Sequence, residues 1–569
     1  MAKVAALKRT TKSKQKPKHA PVRKRPTRLR HMGRAQERKL EGLSPFELKD
    51  KLIKIAEGRT QMAGARQMLN AGRGNPNWIA TTPRHAFFQL GQFALSESER
   101  VWNEPDLGGM PAKDGIAARL DEWLARHGQG DGGKLLKKAV DYGVNKLGFD
   151  RDAFVHELAD SVIGDNYPVP DRMLRHAEQV VHAYLMQEMC DNRPPKGRFD
   201  LFAVEGGTAA MCYIFDSLQI NRLLKRGDKI AIGSPIFTPY IEMPQLDQYG
   251  LDLVTIIAGE LRKTGLHAWQ YPDSEIDKLA DPAIKAFFLV NPSNPPSVAV
   301  REKTIDRIVE IVKRKNPNLI IITDDVYGTF VEGFRSLMAD LPQNTIGVYS
   351  FSKYFGATGW RLGVVAIHQN NIYDRMLAAL PKADKQALNK RYSSLTLNPE
   401  SMKFIDRMVA DSRRVALNHT AGLSLPQQTQ MMLFALFGLT DSKNAYKHLT
   451  RRIVKRRYEK FWQGFHTVPP TDPLRADYYS TVDILIGAEQ RVGHGFVEYM
   501  QEHYEPIDIL IRLAEQFGTV LLNGSGFDAP LWSVRTSLAN LPDDAYETIG
   551  DQIMSVVKEY AVDWLQNKK

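Results

Sequence analysis

The sequence predicts an α/β protein with a mainly parallel sheet and more than one domain. Three observations carry this. From about Asp200 onward, short apolar runs alternate with turns and helical stretches, the strand, turn, helix pattern of parallel sheets. Those apolar runs end in clusters of polar residues, as strands of open α/β sheets do where their carboxyl ends face a ligand. A chain of 569 residues is also too long for one simple core.

Residues 200–204 read as the first strand. Glu205-Gly206-Gly207-Thr208-Ala209-Ala210 then opens a helix running to 218. A glycine pair at a helix start suits an anion, because free N–H groups and the helix dipole point at it. Residues 229–232 form the next strand, followed by Ser234-Pro235-Ile236-Phe237-Thr238-Pro239-Tyr240. The run 285–290 ends in Asn291-Pro292-Ser293-Asn294-Pro295-Pro296-Ser297, and 319–323 ends in Asp324-Asp325-Val326-Tyr327. Two acids after a buried β-branched run read as chemistry rather than packing.

Residues 345–349 are a further buried strand, and it stops at Ser350-Phe351-Ser352-Lys353. Arg361 follows the lysine by eight residues, and Leu362-Gly363 then opens another apolar run. Lysine is costly to bury. Lys353 is therefore either a snorkelling surface residue or a chemical one. With Ser350, Ser352, Gly356 and Gly359 around it, an amine near a bound anion is the chemical reading. Arg361 and the Ser and Gly backbone suit a phosphate, and the amine suits a Schiff base.

Before the strands, Leu43-Ser44-Pro45-Phe46-Glu47 opens a helix, with Ser44 as N-cap, Pro45 in the first turn and Glu47 completing a capping box. Leu69-Asn70-Ala71-Gly72-Arg73-Gly74-Asn75-Pro76 is a tight loop whose backbone can approach a ligand closely. Residues 116–127, 133–147 and 152–163 read as helices suited to packing or subunit contact. Asn166-Tyr167-Pro168-Val169-Pro170 ends this block. After the strands, 371–414 is helical and charged. Ser424 caps a long helix with Pro426 in its first turn, and the last part alternates strand and helix. Arg535 sits there in an apolar strand, where a charge is tolerated only with a partner.

The net charge of +12 is a property of one end. Residues 1–31 hold 12 Lys and Arg and no acid, which leaves 65 basic against 65 acidic residues in the rest. Residues 1–38 cannot bury enough apolar surface to fold alone. Three readings stand for this tail: charge-driven binding of nucleic acid or an acidic surface, an organelle-targeting peptide, or non-native sequence ahead of an internal start at Met32. The last, or an inert tail, is the expectation. Only Cys190 and Cys212 occur, which fits a reducing compartment without disulfides. No apolar run approaches the roughly 20 residues that span a bilayer, and no signal-peptide core stands near the start. A cytoplasmic location is expected, with no metal.

The Ser-x-Ser-Lys segment with Arg-x-Gly eight residues on resembles the lysine motif of fold-type I pyridoxal-phosphate enzymes of the class I aminotransferase group. The resemblance extends from about Leu43 to the end. It implies a large domain with a mainly parallel seven-stranded sheet between helices, and a smaller α+β domain from N- and C-terminal segments. The expected divisions are a basic tail to 38, an N-terminal arm, small-domain segment and helical insertion over 39–165, a large cofactor domain over 166–429, and a C-terminal small domain over 430–569. The implied cofactor is pyridoxal 5'-phosphate, joined to Lys353.

By the same resemblance, Gly207, Thr208, Ser350 and Arg361 hold the phosphate, and Tyr167 reaches the phosphate of the neighbouring subunit. Phe237 stacks on the pyridine ring. Asp324 faces the ring nitrogen and keeps it protonated. Asn294 and Tyr327 bond the phenolic oxygen. Gly74 passes beside the substrate, which puts Arg73 at its edge, and Arg535 forks onto the α-carboxylate, a bidentate task lysine cannot match. The family's Asn-Pro-Thr-Gly appears here as Asn294-Pro295-Pro296-Ser297. The arginine that dicarboxylate-specific members carry before the long helix is absent, with His419 and Thr420 in its place.

The run from Ser350 to Val365, Arg73 in its glycine loop, the Asp-Asp-Val-Tyr turn and the helical block look similar to the aspartate 4-decarboxylase branch of that group. This implies loss of the β-carboxylate of L-aspartate to give L-alanine and CO2, with Lys353 as general base. Transamination to a 2-oxo acid is implied as a side activity, and a homodimer at least, built into larger assemblies. Two alternatives stand beside it. One is an aminotransferase without decarboxylase activity. The other is a DNA-binding regulator with an aminotransferase-like domain, against which the tail shows no helix-turn-helix spacing.

Overall fold

A computed structural model describes residues 32–63, 68–105, 107–413 and 422–568. Residues 1–31, and the loop positions His419 and Thr420, lie outside the described residues.

Seven strands form the central sheet: β1 (Phe199–Val204), β2 (Lys229–Ser234), β3 (Asp252–Ile257), β4 (Ile284–Val290), β5 (Ile320–Asp324), β6 (Thr345–Ser350) and β7 (Gly363–His368). Their spatial order is β1-β7-β6-β5-β4-β2-β3, with β7 antiparallel to both neighbours and the other pairs parallel. Helices cover both faces, so the central strands are apolar along their length. Ile320, Ile321 and Ile322 are all fully buried. The edge strand β3, Asp-Leu-Val-Thr-Ile-Ile, carries an apolar, β-branched run that sequence reading left unassigned, and at the sheet edge it is half exposed.

The predicted helices of the N-terminal block appear as Ile116–His127, Gly130–Leu147 and Arg151–Ile163. With helix Thr81–Arg100 the second and third pack on Leu425–Thr440, the first packs on those two, and Gly130–Leu147 also touches Arg175–Met189, in one continuous core with the large sheet. Ser424 caps Leu425–Thr440 through a capping box with Gln427. At Ser44 the hydroxyl accepts from the Glu47 N–H at 3.4 Å, which is half of the box expected there.

A second core joins the two ends of the chain. Helix Pro45–Ala63 buries Leu48, Leu52 and Ala56 against C-terminal residues such as Leu513 and Leu521. Leu69–Asn70 pairs in parallel with Thr519–Val520. Strands β8 (Tyr479–Asp483), β9 (Leu522–Asn523) and β10 (Ser533–Ser537) make an antiparallel sheet in the order β9-β10-β8. The chain closes not on that sheet but on the helix Asp543–Asn567.

One boundary moves. The segment read as a tail to 38 contains the first part of the helix Arg34–Glu41, which packs on the C-terminal part. Arg34 and Arg38 both donate to Glu505, at 2.8 and 2.9 Å, and Glu37 is buried. The ion pairs supply what apolar content does not. No helix among the described residues is long and apolar enough to cross a membrane. Cys190 and Cys212 are both free.

The turn after β6 is held by segments distant in sequence. The Trp78 indole donates to the Tyr354 carbonyl at 3.1 Å, Arg84 to the Gly356 carbonyl at 2.7 Å, and the Tyr446 hydroxyl to the Tyr354 carbonyl at 2.9 Å. Gly356 has a φ of +60°, and a Cβ there would lie 1.9 Å from the Trp78 carbonyl oxygen. Gly356→Ala is thus expected to lower stability by about 2 kcal/mol or more, because strain and a backbone clash coincide. Gly359, which has open space around it, is the control. Gly359→Ala should stay within about 0.5 kcal/mol in the same denaturation series.

Candidate active site

The carboxyl ends of the sheet strands open into a cleft of about 280 Å³ between the two cores. Its walls include Gly74, Gly207, Thr208, Phe237, Asn294, Asp324, Tyr327, Ser350, Lys353, Arg361 and Arg535. Residues spread over more than 450 positions of sequence thus meet in one place. Two expected residues do not line it. Arg73 is exposed, although Gly72 and Gly74 on either side are both in the wall. Tyr167 is 65% exposed and stands apart from the cleft.

Lys353 leaves β6 at the turn and donates from Nζ to the Gly74 carbonyl at 3.1 Å. Tyr478 donates to the same carbonyl at 2.9 Å. Gly74 has to be glycine, because a Cβ there would sit 2.6 Å from the Tyr479 hydroxyl and 3.4 Å from Lys353 Nζ.

Asp324 ends β5 inside the protein. It accepts from the Tyr240 hydroxyl at 2.7 Å and from the Val326 N–H at 3.2 Å. Burial pushes its carboxyl above the ordinary range, and Tyr240, Val326 and the Lys353 charge work against that. Its neighbour Asp325 has a different task, which corrects the reading of both acids as chemistry. Asp325 accepts from the hydroxyls of Thr323 and Ser336, and its N–H reaches the Val348 carbonyl. It fastens the turn, and burial pushes its carboxyl up to about 7.

At one end of the cleft the helix Gly207–Ile220 presents its N-terminus, whose first N–H groups have no partner within the helix. Gly206, at a φ of +94°, lets the chain pass Arg361, since a Cβ would meet Nη2 at 2.5 Å. The Arg361 guanidinium donates to the carbonyls of Thr358 and Glu205, both at 3.1 Å. Ser350 and Ser352 share a hydrogen bond at 2.9 Å beneath it. This is an anion cradle made of an arginine, a helix end and hydroxyls.

At the other end Arg535, on β10, is only 3% exposed. Its guanidinium lies 3.9 Å from the centroid of the Tyr479 ring and 5.0 Å from that of Phe527. No carboxylate among the described residues pairs with it, and its Nε has no hydrogen-bond partner. The buried Asn294 likewise leaves Oδ1 without one. Leaving such groups unsatisfied costs about 1–3 kcal/mol each, so both suit a ligand. The Tyr327 hydroxyl lies 3.0 Å from that of Tyr479. The ring of Phe46, from the N-terminal helix, closes the mouth at 5.8 Å from Phe237.

Sequence reading missed Tyr240, Phe46 and Tyr479 as cleft residues, and Tyr478 as the donor to the Gly74 carbonyl. Tyr240 follows Phe237 by one helical turn, and Tyr478-Tyr479 open an apolar strand whose partner carries Arg535, so both carried a weak signal. Phe46 carried none.

The family model for aminotransferase class I and II matches residues 207–553. The chain belongs to this family. A bifunctional aspartate aminotransferase and L-aspartate β-decarboxylase from Pseudomonas sp is 50% identical to this aminotransferase-family chain over 92% of its length and 97% of the relative. An aspartate aminotransferase from Sulfolobus acidocaldarius is 35% identical over 29% of the chain and 40% of the relative. An aspartate aminotransferase from Thermus thermophilus with maleate superposes with a TM-score of 0.54 at 15% identity, over 93% of this chain and all of that one. The fold is therefore that of fold-type I aminotransferases. Their cofactor is pyridoxal 5'-phosphate, which the residues here fit: an anion cradle, a buried carboxylate, an aromatic wall and a lysine meet in one cleft.

The close approach at Gly74 can be tested. Gly74→Ala should cut kcat/KM by about tenfold or more, and adding Tyr479→Phe should return part of the loss by removing the obstructing oxygen. Steady-state kinetics on both variants reads this out.

Proposed function

We propose that this chain converts L-aspartate to L-alanine and CO2 with pyridoxal 5'-phosphate on Lys353, and transaminates aspartate to a 2-oxo acid as a side activity. The observation that carries this reading is the near full-length relative at 50% identity, whose name states both activities. The cleft supplies the residues such chemistry needs.

When bound, pyridoxal 5'-phosphate takes up the electron pair left as a bond of the amino acid breaks. The chain's own groups do the rest. Arg361, Ser350, Gly207 and Thr208 hold the phosphate. Asp324 gives the ring nitrogen a buried carboxylate, and Phe237 gives the ring a face. Asn294 and Tyr327 bond the phenolic oxygen. Arg535 forks onto the α-carboxylate and so fixes the Cα–H bond toward Lys353, whose free amine removes and returns the proton. The Gly74 carbonyl is the first acceptor that amine has in the cleft.

For the β-carboxylate we propose Arg73, which stands between two residues of the cleft wall with its side chain in solvent. Tyr167 is exposed, which suits a part in a neighbouring subunit's site. The minimal unit is then a homodimer, and larger assemblies are compatible with it. We place the protein in the cytoplasm. We also propose that the two cores correspond to a large domain over 166–429 and a small domain completed by 430–569 and part of 39–165.

Two measurements decide. Incubated with aspartate and no 2-oxo acid, the enzyme should release alanine and CO2 in equal amounts over many turnovers. Release of neither would leave an aminotransferase alone. Arg73→Ala should raise KM for aspartate or lower turnover by about tenfold or more; unchanged values would remove Arg73 from the substrate site.

A further inference from the structure

Tyr479 has no part in the reading above, yet it stands at the centre of the cleft. Its ring lies under the Arg535 guanidinium at 3.9 Å, and its hydroxyl is 3.0 Å from that of Tyr327. The same hydroxyl and Lys353 Nζ are both within contact of a methyl placed on Gly74. Tyr478 beside it is committed elsewhere, donating to the Gly74 carbonyl at 2.9 Å. Tyr479 therefore links Arg535 to Tyr327.

We propose that Tyr479 is a positioning residue that carries the state of Arg535 to Tyr327, so that a carboxylate arriving at the arginine alters the hydrogen bond Tyr327 makes to the cofactor. This rests on the reading that Lys353 carries pyridoxal 5'-phosphate and that Tyr327 faces its phenolic oxygen.

The direction follows from hydrogen-bond economy. A tyrosine hydroxyl has one proton to donate and lone pairs to accept with. If Tyr327 donates to the cofactor oxygen, the contact with Tyr479 runs the other way, from Tyr479 to Tyr327. Donors in series polarise one another, so a more acidic Tyr479 makes Tyr327 a stronger donor. The charged and titratable groups facing Tyr479 are Arg535 on β10, Lys353 on the turn, and Tyr327 and Tyr478. Burial alone would raise the Tyr479 hydroxyl; the charges of Arg535 and Lys353 work against it and bring it below the ordinary tyrosine value. Tyr327 and Tyr478 are instead pushed well up, first by burial and then by neighbouring tyrosines. Among these three Tyr479 is thus the acidic one. A substrate carboxylate on Arg535 screens that guanidinium. Tyr479 then becomes a weaker donor, Tyr327 follows, and the Lys353–cofactor nitrogen holds its proton more tightly.

The test is the pH titration of the cofactor's visible absorbance in the holoenzyme. Tyr479→Phe keeps the ring under Arg535 and removes only the hydroxyl. Its absorbance pKa should rise by about 0.5 to 1 unit over wild type. The further rise produced by saturating succinate, a dicarboxylate with no amine to react, should shrink to less than half its wild-type size. In a Tyr327→Phe background, Tyr479→Phe should add nothing, since the shared acceptor is gone. Incorporating 3-fluorotyrosine at position 479 preserves size and acidifies the hydroxyl, so it should shift the absorbance pKa downward and serves even if the phenylalanine variant folds poorly. Equal titrations in wild type, Tyr479→Phe and the fluorinated protein would overturn this inference while leaving the proposed reaction intact. A wild-type chain that took up no cofactor at Lys353, as judged by borohydride labelling, would overturn the reading beneath it and this inference as well.

Discussion

The site depends on where the turn after β6 sets its backbone. That turn carries Lys353, and its carbonyls at 354–356 are claimed by Trp78, Arg84 and Tyr446. These donors come from the start of the N-terminal helical block and from the long helix Ala445–Gly464. The Phe355 ring packs 4.8 Å from Phe434 of the helix that block surrounds. A lysine on a free turn would sample many rotamers, and a misplaced amine loses rate steeply. Here the amine is placed by fixing the chain beneath it, with Gly356 permitting the closest contact. The helical block therefore acts on the chemistry through the backbone of this turn, although none of its side chains enters the cleft.

A second constraint follows from how charge is stored. Arg535 is buried without a carboxylate, Asp324 is buried above its ordinary range, and Asn294 keeps an unpaired oxygen. Each would be a defect in a core whose only task was stability. Together with the Arg361 cradle they leave a cation, a carboxylate and an amide oxygen facing one cleft. The Tyr479 ring beneath Arg535 lessens the cost of burying that charge, since a cation over an aromatic face is partly stabilised.

What the sequence disclosed follows the same division. Strands buried on both faces announced themselves as apolar runs, and the polar residues at their ends were already the cleft. The strand β3 carries such a run too, Leu253 to Ile257, but it ends in Ala258-Gly259 rather than in a polar cluster, so nothing tied it to the cleft. The first part of helix Arg34–Glu41 falls in the segment read as tail, because its hold is two arginines on Glu505, more than 450 residues away. Asp324 and Asp325 look equivalent in sequence. They differ only because consecutive residues at a strand end point to opposite sides, one into the cleft and one onto Ser336. Local pattern separates strand from helix; it does not tell which face of a turn the rest of the chain leaves open.

Tyr479 shows why the remaining site residues resist sequence reading. A tyrosine at the start of an apolar strand is most simply a core residue, and by burial it is one. Its function comes from two long-range placements. The antiparallel register sets Thr481 opposite Arg535, and Tyr479 lies two residues before Thr481 on the same face. The second placement is the approach of β5's end, which brings Tyr327 to 3.0 Å. Neither spacing is local, so no motif encodes it. The Arg535 guanidinium and the Tyr327 hydroxyl are consequently joined by a contact that exists only once both cores have closed on each other. A change that loosened their packing would loosen that coupling even with every cleft residue still present.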